Sequence, residues 1–178
     1  MKYAIRVVLL IAIVGLVYLT TKSILDPIKY AEEVEVREGE VVTKLKTLRD
    51  GQLIYKDQHG EFANSFDTLL NFMENGKMKV LIQEGDKDDS TTVYKVSEEM
   101  VSVKDSLFKD VDIPNLRFVP RNDTLQFEIA ARVIKKNNVS VPVFEIKDAE
   151  PFNKERIKEN DPLKVGSISD VNYNGNWD

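Results

Sequence analysis

The chain has 178 residues, 42% of them hydrophobic and 31% charged, with no cysteine, one histidine and a net charge of −5, a composition for one folded domain plus an appendage. The missing cysteine excludes disulfides, thiol nucleophiles, iron–sulfur clusters and cysteine-based zinc sites. Beyond residue 26 the chain carries 22 basic and 29 acidic residues with no basic run longer than Lys135-Lys136, which gives no electrostatic footing for nucleic acid.

At the N-terminus, Met1 to Arg6 is followed by thirteen uncharged, mostly apolar residues, Val7 to Leu19. With Tyr3 to Ile5 before it and the segment to Leu25 behind it, this helix reaches the roughly 20 residues that cross a bilayer. Lys2 and Arg6 precede the run and only Lys22 follows it closely. The positive-inside rule then predicts a cytoplasmic N-terminus and a C-terminal domain outside the cytoplasm. A cleaved signal peptide has an apolar run of similar length. Here Val17-Tyr18-Leu19-Thr20-Thr21 puts bulky residues where cleavage needs small ones, which favours a retained signal-anchor over residues 1–25.

Asp26-Pro27 reads as a helix restart, an acidic N-cap before a proline at the first helical position. Residues 26–40 predict an acidic membrane-proximal stalk interrupted by Gly39, with the extracytoplasmic domain over 41–150. Val41, Val42, Leu45, Leu48, Gln52 and Tyr55 recur every three or four residues along one face of a long helix, which His59-Gly60 stops. Asn64-Ser65 caps a short second helix bearing Phe66, Leu69, Leu70 and Met73 and ended by Asn75-Gly76. Beyond it the period falls to two. Met78 to Gln83 is a first strand, Gly85 to Ser90 a polar loop, Thr92 to Val96 a second strand, Leu116 to Val119 a third, and Leu125 to Val133 the clearest. Asn137-Asn138 predicts a tight turn, because Asn tolerates positive φ. Val139 to Ile146 returns as a partner strand, marked as an edge by Pro142. Residues 151–178 read as a polar, mobile C-terminal tail. The expected fold class is α+β: an N-terminal transmembrane helix continuing into a long helix, a short second helix, then an antiparallel sheet of about four strands.

Chemistry-bearing constellations are sparse. His59 stands alone before a glycine, where a helix C-terminus favours it, whereas a cysteine-free metal site needs several imidazoles. Asp86-Lys87-Asp88-Asp89-Ser90 alternates oxygen ligands as a calcium loop does, but Thr91 occupies the position where an EF-hand needs glycine. No phosphate-binding glycine loop and no Ser-His-Asp order occurs. No catalytic residue, metal or cofactor is therefore expected. Asn122-Asp123-Thr124 and Asn138-Val139-Ser140 match the N-glycosylation sequon. Asp67-Thr68-Leu69, Asp105-Ser106-Leu107 and Asp123-Thr124-Leu125 are similar to an O-glycosylation signal of some envelope bacteria.

Leu53-Ile54-Tyr55-Lys56-Asp57-Gln58-His59-Gly60-Glu61-Phe62, followed by Ser65-Phe66-Asp67-Thr68-Leu69-Leu70, resembles the junction in type IV pilins and pseudopilins. There a long N-terminal helix ends near a tyrosine, a glycine turns the chain, and a short leucine-containing helix leads into the domain. The likeness covers residues 1 to about 75 and implies a membrane helix continuous with a long helix, then an antiparallel sheet. The pattern departs from prepilins at the N-terminus: Gly15 lies inside the apolar run, and no acid occurs between Met1 and Leu25. The resemblance thus implies an unprocessed pilin-like protein. The sequence also looks like small bitopic envelope proteins of bacteria with two membranes, which implies a bacterial inner-membrane protein with a cytoplasmic N-terminus and a periplasmic C-terminal domain, and no activity.

Together these features predict a non-enzymatic, membrane-tethered envelope protein acting by protein contact, as an assembly or scaffold component. The expected contact residues are Leu45, Leu48 and Tyr55 on the helical stripe, and Val139, Val141 and Val143 on an edge strand open to strand addition. Intramolecular burial is the competing reading for both sets. The second functional reading is a membrane-tethered module that binds a glycan or small ligand.

Overall fold

A single helix runs from Lys2 to His59. This α1 is followed by α2 (Phe66–Asn75), β1 (Lys77–Glu84), β2 (Lys95–Ser102), α3 (Val103–Leu107), a 3-10 turn (Ile113–Arg117), β3 (Glu128–Lys136), β4 (Val139–Lys147), α4 (Lys154–Glu159) and β5 (Lys164–Gly166). The computed structural model describes residues 2–84 and 95–177, and side chains over 3–82 and 97–177. The predicted polar loop 85–90, and residues 92–94 of the predicted second strand, lie outside the described residues. The fold is α+β with two antiparallel sheets, of two and three strands. The chain divides into two compact units, Met1–Gly39 and Glu40–Asp178.

In the first unit every described residue from Tyr3 to Leu25 is exposed. Thr20 and Thr21 turn their hydroxyls back onto the carbonyls of Leu16 and Val17, both at 2.8 Å, which satisfies them without water. This is one helix long and apolar enough to cross a membrane. The expected restart at Asp26-Pro27 does not occur, because Pro27 lies inside α1. Proline removes one helical hydrogen bond, to the residue four before it; that residue, Ser23, is exposed, so its carbonyl is open to other partners. Gly39 is likewise helical. Further along, Arg37 bonds Glu33 one turn back, the spacing that supports an exposed helix.

The second unit is built on the predicted stripe. Val41, Leu45, Leu48 and Gln52 are buried and share one core with Phe66, Leu69, Leu70, Phe72 and Met73 of α2 and with Phe144, Ile146 and Val165 of the sheet. Gly51 lets α1 and α2 approach closely, since a Cβ there would stand 2.7 Å from the Met73 sulfur. Gln52 is fully buried and works as a clamp: its amide donates to the Ala63 carbonyl at 2.8 Å and accepts from the Ala63 N–H at 2.9 Å. This satisfies the backbone of the connection between α1 and α2 in a place water does not reach. α1 stops as expected, with Gly60 at φ 79° and its N–H bonded to the Lys56 carbonyl. Ser65 caps α2.

β1 covers the first predicted strand, and β2 takes in Lys95 and Val96, the described residues of the second, and runs on to Ser102. The third predicted strand is corrected: Ile113–Arg117 is a 3-10 turn with Pro114 near its start, and Phe118 makes only an isolated bridge to Gln126. Lys44 holds that turn by donating to the carbonyls of Asn115 and Phe118, both at 2.8 Å. Partial burial lowers the Lys44 pKa, opposed by Asp112, Asp123 and Glu40. The β3–β4 hairpin closes at Asn137 and Asn138, with φ 51° and 65°, the conformation a two-residue primed turn requires.

The C-terminal segment is also corrected. It is not a tail: Leu163 and Val165 are 2% and 0% exposed, and Tyr173 and Trp177 pack against the same core. Gly166 donates to the Asn174 carbonyl, and Asn176 to that of Lys164, so the chain end runs along the outer side of β5. Phe62, Phe144 and Tyr173 form an aromatic cluster with ring centroids 4.6 to 6.0 Å apart.

Candidate interaction surface

The structure separates the six predicted contact residues. Leu45 and Leu48 are 0% exposed; they are core and present nothing to a partner. Tyr55 is half-buried, stacked on His59 at 4.1 Å and edge-on to Phe72 at 5.2 Å. Val143 is 0% exposed, Val141 half-buried and Val139 60% exposed. Of these three valines only Val139, at the turn end of the hairpin, lies on the surface.

β4 is not an edge strand. The three-stranded sheet has the order β3-β4-β5, and β5 pairs with Glu145, Ile146 and Lys147. What remains of the β4 margin is interrupted at Pro142, by the proline itself and by Tyr173 from the C-terminal segment. The register pairs Val133 with Pro142. Antiparallel pairs alternate between those that exchange both N–H···O bonds and those that exchange none. Proline has no N–H, so the pair at Pro142 is of the second kind and its carbonyl turns outward. There it accepts from the Tyr173 hydroxyl at 3.0 Å. Proline and tyrosine together leave no row of free groups for an added strand.

The open edge belongs to β3. Counting in twos from Val133, the residues Ile129, Ala131, Val133 and Lys135 turn their N–H and C=O groups away from β4. β3 is the terminal strand, and among the described residues none of these outward groups has a hydrogen-bond partner. A nine-residue strand without proline or glycine, carrying such a row, is a template for an extended segment. Above it, a cavity of about 150 Å³ is walled by Phe62, Asn64, Thr68, Ala131, Val133 and Pro142. Ion pairs flank the strand at both ends: Glu128 with Lys147 at 2.9 Å and Lys136 with Asp170 at 2.6 Å. The Glu128 carboxylate raises the Lys147 pKa, and the Lys136 ammonium lowers that of Asp170. In the two-stranded sheet, by contrast, the Lys79 N–H on the margin of β1 already meets the Gln58 side chain. β2 carries adjacent exposed carboxylates at Glu98 and Glu99, a charge pattern that guards an edge.

A second concave feature follows α2. It has a volume of about 480 Å³ and is lined by Tyr55, His59, Phe72, Asp67, Asn71 and Asn75 among others. The Asn75 side-chain amide donates to the Asn71 side-chain oxygen Oδ1 at 2.9 Å, and His59 Nδ1 lies 3.0 Å from the Tyr55 backbone carbonyl. Among the described residues, no three His, Asp or Glu side chains converge as metal ligands would.

Comparison with protein-family models, with curated proteins and with solved structures finds no match to this chain. The reading of this surface therefore rests on its own geometry. The sequence held one usable sign of it. Pro142 dictates which way the β3–β4 hydrogen bonds alternate once the Asn137-Asn138 turn sets the register, but the occupation of the β4 margin by Tyr173 depends on a contact 31 residues away.

Proposed function

We propose that this is a single-pass, membrane-anchored envelope protein that works by protein contact, as an assembly or scaffold component, through the free edge of β3. The observation that carries the reading is the unpaired backbone row at Ile129, Ala131, Val133 and Lys135. An apolar helix with every described residue from Tyr3 to Leu25 exposed supports the membrane anchor, because soluble monomers do not leave so long an apolar surface to water. The basic residues before the apolar run support an inner-membrane orientation with the domain in the periplasm. The unbroken α1 and the glycine turn at its end support the pilin-like layout, in its unprocessed form.

Val133→Pro tests the contact. The Val133 N–H points away from β4, so proline there removes a donor from the free edge and leaves the hairpin bonded. Arg132→Pro would instead break the bond to Val143. A photo-crosslinker at Lys135 of the full-length protein, in its native membrane, is expected to give protein-sized adducts that Val133→Pro abolishes. Adducts with glycan or lipid alone would overturn the contact reading. Release of the protein from membranes by alkaline carbonate would overturn the anchor.

The groove along α2 favours a second reading, a tethered module for a glycan or small ligand. Its histidine, tyrosine and paired amides offer a stacking surface and directional hydrogen bonds, which is what a polyhydroxylated ligand needs. Specific retention of an oligosaccharide, lost in Asn71→Ala, would move the function there.

A further inference from the structure

We propose that the occupant of the β3 edge is the β3 of a second copy of this chain, paired antiparallel about a two-fold axis at Arg132. The inference rests on the contact reading above and names its partner.

Two conditions select the register. Residues that turn their backbone outward must meet residues of the partner that do the same, which restricts odd-numbered positions to odd-numbered partners. Among the registers that remain, one uses the whole strand, Glu128 to Lys136. In it Ile129 meets the partner's Lys135, Ala131 the partner's Val133, and each of these pairs recurs by symmetry. These are the hydrogen-bonded pairs. Between them, Ala130 stands opposite the partner's Ile134, Glu128 opposite the partner's Lys136, and Arg132 opposite its own copy.

The strand reads Glu-Ile-Ala-Ala-Arg-Val-Ile-Lys-Lys, with its carboxylate at one end and its ammonium groups at the other. An antiparallel copy therefore sets opposite charges against each other at both ends, an arrangement that a parallel pairing would turn into like-charge contacts. Glu128 already faces Lys147 and Lys136 already faces Asp170 within the chain, so the cross-strand contacts extend two existing pairs into networks. The one like-charge meeting, at the axis, is relieved within each chain: Arg132 Nε donates to the Ile168 carbonyl, which draws the guanidinium toward its own C-terminal segment. The product is one continuous sheet in the order β5-β4-β3-β3-β4-β5, with no free edge at its centre. Strand pairing of this size is weak between free proteins, and anchorage of both copies in one membrane supplies the local concentration it needs.

The chain has no cysteine, so a single introduced thiol is unique. Arg132 is the position that meets itself, in a pair of the non-hydrogen-bonded kind with Cα atoms about 4.5 Å apart, within disulfide range. Full-length Arg132→Cys in its native membrane is expected to form a disulfide-linked dimer under mild oxidation, at least tenfold above Ala131→Cys, Val133→Cys or Val139→Cys. Glu128→Lys or Lys136→Glu alone should lower the dimer fraction several-fold, and the two together should restore it. Preferential linkage at 131 or 133, linkage equal at all four positions, or no linkage at 132 in protein that retains its native circular dichroism would overturn the proposal. Absence of the 132 dimer while Lys135 still crosslinks to a different protein removes the second copy and leaves the contact reading standing. Absence of both removes both.

Discussion

Gln52 shows most directly how one residue holds this fold. It sits in an apolar helical stripe, yet both its amide atoms are committed to Ala63, and no buried side-chain nitrogen or oxygen among the described residues lacks a partner. Gln52→Leu keeps the volume and strands a buried N–H and C=O, so it should cost on the order of 3 kcal/mol, read as a lower urea midpoint of the detergent-solubilised protein. Asp148 behaves oppositely. It is 3% exposed, and burial raises its pKa, opposed by the Glu150 N–H it accepts. A raised carboxyl pKa means the folded state holds its proton more tightly than the unfolded chain. The group then weakens the fold as pH rises through the carboxylate range, and the full penalty is present above the raised value. Asp148→Asn retains the acceptor for Glu150, so it should stabilise the protein at neutral pH, with the gain fading as pH falls from the raised value and gone below the ordinary carboxylate pKa. Equal midpoints for the two proteins at neutral pH would refute this.

Among the elements, the β3–β4 hairpin was the most legible. Its alternation and its Asn137-Asn138 turn follow from local chemistry, since side-chain period and positive φ are properties of a few consecutive residues. Asn138→Val should cost about 1–2 kcal/mol, the penalty of a β-branched residue held in the left-handed region, whereas Asn138→Gly should leave the midpoint unchanged or higher. α1 was legible at its end and not at Pro27, because proline preceded by an acid looks the same at a helix start as inside a helix that tolerates it. The strand predicted at Leu116 to Val119 failed for a related reason: the apolar residues were read as a period of two, while Pro114 and the carbonyl bonds from Lys44 hold the backbone in a 3-10 turn. The C-terminal segment was the largest misreading. Its polar residues conceal Leu163, Val165, Tyr173 and Trp177, two separate pairs too short to make a periodic pattern, which converge on one core. Truncation after Asp161 should therefore prevent the second unit from folding, since Leu163 and Val165 alone contribute about 1.5–3 kcal/mol each by burial. Loss of protease resistance measures it.

For the whole molecule, the apolar helix and the domain pose separate questions of solvent. A charge at the middle of a membrane span costs about 2.5–3.5 kcal/mol, so Val14→Arg should shift the protein from the carbonate-resistant membrane pellet toward the soluble or degraded fraction, without altering the contacts of residues 40–178. Unchanged membrane retention would argue that residues 3–25 are covered by protein and not by lipid. The α+β class, the apolar span, the end of α1 and the hairpin turn were determined by sequence alone, because each depends on hydropathy, capping or backbone preference over a short stretch. Which helix stripe is core, which strand keeps a free edge and where the chain's last residues lie were decided by tertiary structure. Those outcomes are contests between distant segments for the same buried surface and the same backbone groups. Tyr173 reaching Pro142, and β5 reaching Ile146, close one side of the sheet and leave β3 open on the other.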